Sequence, residues 1–547
     1  MNLDDRRFVT RIETKLADWK RDWRMLRLNR QITNKAHPKP ENPTVAIFSA
    51  STRLTGISLN AAFAYLAACG LQLADIPVVY FACRAGMSRC VLGTNWQNPS
   101  QPPPCPACIA QSRRLFAHAP TVDFTFQEDG ALRRSIDDLS VPDLSAFVYP
   151  AVQGFGIDQD IPLGDLVLPS LRWANRLHNL HDDEPTRFLF REYILSAWRV
   201  AIEFANFLEQ ANPQILVVFN GVLYPEAMVR WIAQQRGLRV ITHEVGFRPF
   251  SAFFSDQQAT AYHVDIPDEY VLTPEQNASL DEYLGRRFQG EFSMAGIRFW
   301  PEMRKMDEDL IRKSDNFQQI VPIFTNVIFD TSQIHANTVF NDMFDWLDLI
   351  LEIIKSHPET LFVIRAHPDE LRPGKQSRES VPNWVIQNKV DSLNNVVFID
   401  PTESLSSYEL IERSKFVMLY NSSIGLEAAL MGKAVLCGGR ARYTPYNTVY
   451  FPDSPEEYQL KAEDFLSTGN RIEIPAEKIV NARRFMYFQL FKASIPFDEF
   501  LEEDTKPGYV RLKPVNWRQL KPENSQVMRT LVDGIVHVKP FLIGVDE

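Results

Sequence analysis

A chain of 547 residues with 45% hydrophobic and 12% aromatic side chains has enough apolar mass for two or three cores, which excludes an intrinsically disordered protein. Its formal net charge of −10 argues against nucleic acid as the main partner. No run of about 18 apolar residues offers a bilayer span, and the N-terminus lacks the apolar core of a signal peptide. A cytoplasmic protein with reduced cysteines is therefore expected.

The first segment, MNLDDRRFVTRIETKLADWKRDW, sets Phe8, Ile12, Leu16, Trp19, Trp23 and Leu26 at steps of three and four, the spacing of one helical face. Basic residues beside tryptophans suit an anionic surface such as the inner face of a membrane, which makes peripheral membrane association one reading. A stripe packed on the protein itself is commoner and is preferred here. NKAHPKPENP then serves as a linker, so residues 1–40 form a helix-and-linker unit.

From Thr44 the chain alternates short apolar runs with helical periodicity. TVAIFSA reads as a buried strand, GISLNAAFAYLAACG as a helix closing on Gly70, and IPVVYFAC as a second strand. Further on, QILVVFNG is a strand, YPEAMVRWIAQQRG a helix ending at Gly237, and LRVITHE a strand. Strands alternating with helices imply a mostly parallel, doubly wound α/β domain, assigned to residues 41–300.

Inside it lies a cysteine-rich insertion, residues 83–108, with Cys83 and Cys90 followed after a Pro-rich loop by the C-x2-C pair Cys105 and Cys108. Four thiolates in one short segment suit a tetrahedral structural zinc with no open position. An iron–sulfur cluster is satisfied by four cysteines as well, and the C-x6-C half departs from the usual zinc spacing. Two disulfides fit poorly with a reducing compartment.

A second α/β series, assigned to residues 315–470, begins near Val321 with VPIFTNV, the helix NDMFDWLDLILEIIKSHP and TLFVIRAHP. It continues through NVVFID, YELIERSK, FVMLYNSS and AVLCGG. Residues 471–547 read as a helical and irregular tail expected to pack back on the first domain. Two doubly wound domains facing each other leave a cleft between the carboxyl ends of both sheets, where ligands of such folds bind.

Polar residues punctuate those ends: Asn220 and His243-Glu244 in the first half; Asn326, Arg365, His367 and Asn421-Ser422-Ser423 in the second. A buried core gives no reason to end successive strands this way. The knot Asn421-Ser422-Ser423 opens a helix, where amides and hydroxyls favour a phosphate, with Gly425 keeping the approach clear and Glu427 placed to accept hydrogen bonds from sugar hydroxyls. Read on its own, the same knot is an ordinary helix cap.

FVIRAHPDE followed by LYNSSIGLEAALMGKAVLCGG resembles the C-terminal half of bacterial capsule and surface-polysaccharide glycosyltransferases with the two-Rossmann GT-B fold. The capsule polysaccharide Kdo-transferase family in particular shares an Arg-x-His-Pro motif and an Asn-Ser-x-x-Gly-x-Glu-Ala block. The resemblance covers about Val321 to Tyr446. It implies two facing Rossmann-like domains, a nucleotide-activated sugar donor on the C-terminal one and a saccharide or lipid-linked saccharide acceptor on the N-terminal one. It also implies that His367 contacts the donor phosphate.

The residues themselves agree with such chemistry. Expulsion of a nucleotide phosphate builds negative charge that Arg365 and His367 can meet. Arg365 paired with Asp369 or Glu370, and His367 as a turn residue, are the structural alternatives. If configuration inverts, a base must take the acceptor proton; Glu244 is the candidate, with His243 and Asn220 placed to bind acceptor, while Glu244 capping the next segment is the plain alternative. No catalytic metal is expected. A glycerophosphotransferase of the teichoic-acid type, a nucleotide-sugar epimerase and a non-enzymatic assembly partner are the rival classes.

Overall fold

The computed structural model describes residues 21–544 apart from 51–55, 153–155, 261–262, 290–304, 307, 373–375, 470 and 507. Phe8, Ile12, Leu16 and Trp19 lie outside the described residues.

The first sheet contains β1 (Val45–Phe48), β2 (Val78–Cys83), β3 (Thr121–Phe124), β4 (Ile215–Phe219), β5 (Arg239–Val245) and β6 (Ser251–Ser255). The second contains β7 (Gln319–Phe324), β8 (Thr360–Arg365), β9 (Val396–Ile399), β10 (Phe416–Leu419) and β11 (Ala434–Cys437). The short β12 (Ile495–Pro496) returns to the first sheet, giving the order β12-β6-β5-β4-β1-β2-β3. In the second sheet the order is β11-β10-β7-β8-β9, and every pairing is parallel. Both orders are the doubly wound kind, reversing direction at one point: between β1 and β4 in the first sheet, between β7 and β10 in the second. The protein is thus an α/β protein of two Rossmann-like domains.

The strands are near-continuous runs of Val, Ile, Leu and Phe because each sheet is covered on both faces. Four apolar clusters, two to each sheet, record this, with β1 dividing its side chains so that Val45 and Ile47 enter one core and Ala46 and Phe48 the other. Two strands missing from the sequence reading, β3 and β6, have physical reasons. β3 carries Asp123, paired with Arg84, and presents little apolar signal. β6 runs antiparallel to β5, outside the strand–helix alternation. The 28-residue helix Glu184–Ala211, also unread, supplies much of one core.

The described part of the N-terminal helix, residues 21–35, corrects the proposed stripe. Met25, Leu28 and Ile32 are buried, whereas Trp23 and Leu26 are 50% and 42% exposed. The buried face is set by Asn29, whose Oδ1 accepts from Tyr65 of the helix Leu59–Leu73 at 2.7 Å. Among the described residues no helix is long and apolar enough to cross a membrane.

After helix Ala476–Tyr487 the chain crosses back. β12 pairs antiparallel with β6, and helix Gln526–His537 packs on helix Leu59–Leu73.

Candidate functional site

The switch point of the second sheet is bridged by two asparagines. Asn326, just beyond β7, accepts through Oδ1 from the Asn421 amide at 3.3 Å, and Asn421 Oδ1 accepts from Gln333 Nε2 at 3.0 Å. Next to β7, β8 ends at Arg365, which is only 6% exposed and whose Nη1 is buried with no hydrogen-bond partner. Burial lowers its pKa to about 10; Glu403 is the charge that opposes this. The anticipated pairings of Arg365 with Asp369 or Glu370 do not form: Asp369 pairs with Arg372, and Glu370 is turned inward to accept from the Val381 amide.

His367 heads the turn Pro368–Leu371, and its Nδ1 accepts from the Asp369 amide at 3.2 Å. Burial lowers its pKa, with Asp369 and Asp330 opposing and Arg365 assisting. With Nδ1 accepting, the ring carries a proton on Nε2.

Two members of the expected donor set take other roles. The helix after the knot, Ile424–Leu430, has seven residues and no side-chain cap. Gly425 is required by packing, since a Cβ there would strike Tyr443 Oη and Leu419 Cδ2. Glu427 is 1% exposed, held by Arg287 Nη2 and by Tyr408 Oη, both at 2.5 Å. Its carboxylate faces the core, not a sugar, because the helix turns that side toward Arg287 of helix Pro274–Phe288. Ser422 is half-buried and Ser423 exposed at the lip, beside Asn421.

Across the cleft, Asn220 follows β4 in a left-handed conformation (φ 57°) that an asparagine tolerates. Its Nδ2 donates to Glu244 Oε2 at 2.7 Å while Asn60 Nδ2 donates to Oε1 at 2.9 Å, so two amides from separate elements aim one carboxylate. Sequence reasoning missed Asn60; an amide at the second position of a largely apolar helix was the available signal. His243 is a correction. It is 1% exposed, stacked on Phe254 with the Phe219 ring tilted against its other side, and its pKa is pushed down to about 3 by burial, because alternation along β5 turns it to the core when Glu244 points out.

Contacts from both domains close around these strand ends. Asn220 O accepts from the Ala259 amide, and Arg442, beyond β11, donates to the carbonyls of Ala259 and Thr260. His335 meets Gln258, and the Arg176 carbonyl accepts from the Arg378 amide. Two arginines of the first domain face the segment from Phe329 to His335 of the second. Arg176 ends helix Leu163–Asn175, stacks on Trp173 and Phe329, and has Nε and Nη1 buried without partners. Arg230 donates to the Gly221 carbonyl; burial lowers the pKa of His335, and the charges of Arg230 and Arg440 add to that lowering. Burial lowers the pKa of Arg176 and Arg230, and neither forms an ion pair among the described residues.

The four cysteines of the insertion line one cavity of about 140 Å³ at the carboxyl end of β2. All four are free thiols, and burial pushes Cys83 and Cys90 up to about 12. Among the described residues no group of three or more His, Cys, Asp or Glu side chains is placed to hold a metal ion, so the tetrahedral zinc geometry expected from the sequence is not formed by the side chains as they stand.

Residues 294–446, which contain Asn326, Arg365, His367 and the Asn421-Ser422-Ser423 knot, match the family described as capsule polysaccharide biosynthesis protein. The resemblance read from the two motifs holds. Protein FixF of Sinorhizobium fredii (strain NBRC 101917 / NGR234) is 30% identical over 234 residues, which is 42% of this chain and 49% of that protein. The chain thus matches about half the length of this curated relative. Among solved structures, the beta Kdo 2,4 transferase KpsC of Thermosulfurimonas dismutans is similar at 12% identity, over 56% of this chain and 87% of that one, with a TM-score of 0.34. The UDP-GlcNAc 2-epimerase of Neisseria meningitidis bound to UDP-GlcNAc is similar at 14% identity, over 82% and 98%, with a TM-score of 0.24.

Proposed function

We propose that the protein is a glycosyltransferase of capsule or surface-polysaccharide synthesis, moving a sugar from a nucleotide-activated donor to a saccharide acceptor. The observation that carries this reading is the buried guanidinium of Arg365 at the end of β8, whose Nη1 has no hydrogen-bond partner, in a chain whose net charge is −10. A buried charge is costly until it is paired, and a pyrophosphate supplies the missing partner. The match of residues 294–446 to a capsule polysaccharide family supports the same assignment.

In the proposed reaction the donor lies at the β7/β10 switch point, its phosphates beside Arg365. As the bond from sugar to phosphate lengthens, Arg365 and the Nε2–H of His367 stabilise the charge on the leaving oxygen. Asn326 and Asn421 hold the donor at the lip. Glu244, aimed by Asn60 and Asn220, takes the proton of the acceptor hydroxyl if configuration inverts and orients that hydroxyl if it is retained.

The test is thermal denaturation with CMP, UDP, GDP and dTDP, followed by a mass-shift assay of sugar transfer with the nucleotide that binds. One nucleotide should raise the melting temperature; at 100 times its Kd the gain is about 2.7 kcal/mol. No protection by any nucleotide or nucleotide sugar, together with no transfer, would overturn the assignment.

A further inference from the structure

The helix of residues 21–35 buries one face and leaves another bare. Met25, Leu28 and Ile32 enter the first core, whereas Trp23, Leu26, Arg27 and Arg30 are exposed, at the steps of three and four that set them side by side on a helix. The Arg27 guanidinium lies over the Trp23 ring, 5.5 Å from its centre. The ion pairs of this helix involve Arg21 and Arg24; among the described residues none reaches Arg27 or Arg30.

The elements packed beside the helix extend the same character. Asn29 Nδ2 donates to the Arg114 carbonyl at 2.7 Å, which sets the exposed Arg113 and Arg114 next to it. Gln31 Oε1 accepts from the Trp517 amide at 3.1 Å. Around that second, half-buried indole lie Lys35, Arg518 and Lys521, their charged ends 5.5 to 5.6 Å from its ring centre. The carboxylates that touch this face are already met: Asp22 by Arg21 and Arg114, Glu502 by Arg24 and Arg511, Glu523 by Lys521. The result is a basic face bearing tryptophan on a chain whose net charge is −10.

A single exposed tryptophan needs no explanation. One set among arginines, with a leucine beside it, on a chain of opposite sign, has the composition of a helix that lies in a membrane interface. Nucleic acids and acidic polysaccharides are also polyanions, but neither has a use for Leu26. The headgroup boundary of a bilayer takes the aliphatic side chain and the indole, while guanidinium groups stay level with the lipid phosphates.

We infer that the exposed face of helix 21–35, with the cluster around Trp517 beside it, binds the first domain to a bilayer surface carrying anionic phospholipid. Trp23 and Leu26 enter the headgroup boundary, and Arg27, Arg30 and Lys35 lie against the phosphates. None of these side chains belongs to the strand ends where donor and acceptor are proposed to bind, so the inference stands apart from the transferase reading.

The test is co-sedimentation of the full chain with vesicles of phosphatidylcholine alone and of phosphatidylcholine mixed with phosphatidylglycerol, at low and high salt. Binding to the mixed vesicles that weakens as salt rises is expected, with little binding to phosphatidylcholine alone. Arg27→Gln with Arg30→Gln should weaken the partition about tenfold or more. Trp23→Ser with Leu26→Ser should weaken it without changing its salt dependence. All four side chains are exposed, so the melting temperature should hold. If either double variant does not fold, quenching of wild-type tryptophan fluorescence by brominated lipid in the mixed vesicles decides in its place, and its absence would overturn the inference. Equal binding to both kinds of vesicle, binding to neither, or folded variants that bind as the wild type does would also overturn it. So would retention on heparin or DNA without binding to vesicles.

Discussion

At the end of β5 the first domain holds a carboxylate between two neutral amides, Asn60 and Asn220. At the end of β8 the second domain buries a guanidinium with Nη1 facing no acceptor, and Arg176 and Arg230 of the first domain form no ion pair among the described residues. Glu244 is oriented by dipoles that leave its charge intact, whereas Arg365 lacks a counter-ion. A hydroxyl suits the first arrangement, and an anion suits the second. The two sheets have the same winding, so the sign of the uncompensated charge at the strand ends, not the fold, distinguishes their tasks.

Four substitutions test that contrast. The largest effect is expected for Glu244→Gln, which keeps the shape but not the basicity: if Glu244 is the base, kcat should fall about 10²- to 10⁴-fold with the melting temperature nearly unchanged. A fall confined to KM would make Glu244 a binding group alone. Next, Glu427→Ala should cost about 3–5 kcal/mol in urea denaturation, because it strands Arg287 in the core. A loss of activity without loss of stability would return Glu427 to the donor site.

Arg365→Met should lower kcat/KM about 10²- to 10³-fold yet leave stability equal or higher, since it removes a buried charge that lacks an ion pair. Marked destabilisation would show that Arg365 supports the fold. The fourth test concerns Glu370, whose pKa is raised by burial to about 8 and whose Oε2 has no partner. A raised carboxyl stabilises fully below its unfolded pKa of about 4.5 and loses that contribution as pH rises through 8. Glu370→Gln should therefore gain on the wild type by up to about 1.4 kcal/mol per pH unit in that window. A stability difference that stays flat from pH 5 to 8 would refute this.

Both sheets were legible in the sequence because their central strands are uninterrupted Val, Ile, Leu and Phe runs ending in polar residues. Arg365, His367, Asn326 and Asn421 could be found because they follow such runs directly. Glu427 and His243 show where that rule stops. Each is polar and adjacent to a strand end or helix start, yet pleat and helix rotation turn both to the interior, where Arg287 and two phenylalanines receive them. Arg176, Arg230 and Asn60 belong to helices and matter only through the tertiary packing that brings them to the cleft. No local pattern marks an arginine that lacks a partner.

The return of β12 to the edge of β6 bears on how the protein is made. Synthesis completes β6 and must then lay down the whole second domain before Ile495 and Pro496 can pair with Ala252 and Ser251. At about 5–20 residues per second, that leaves the edge of the first sheet unpaired for roughly 10–50 s on the ribosome. For that interval β6 is an open template for strand addition. The packing of helix Gln526–His537 on helix Leu59–Leu73 comes later still, and buried Met528, Leu531 and Ile535 then enter the first core. The two halves are therefore not separable products of translation: the N-terminal domain is finished by segments synthesised after the second.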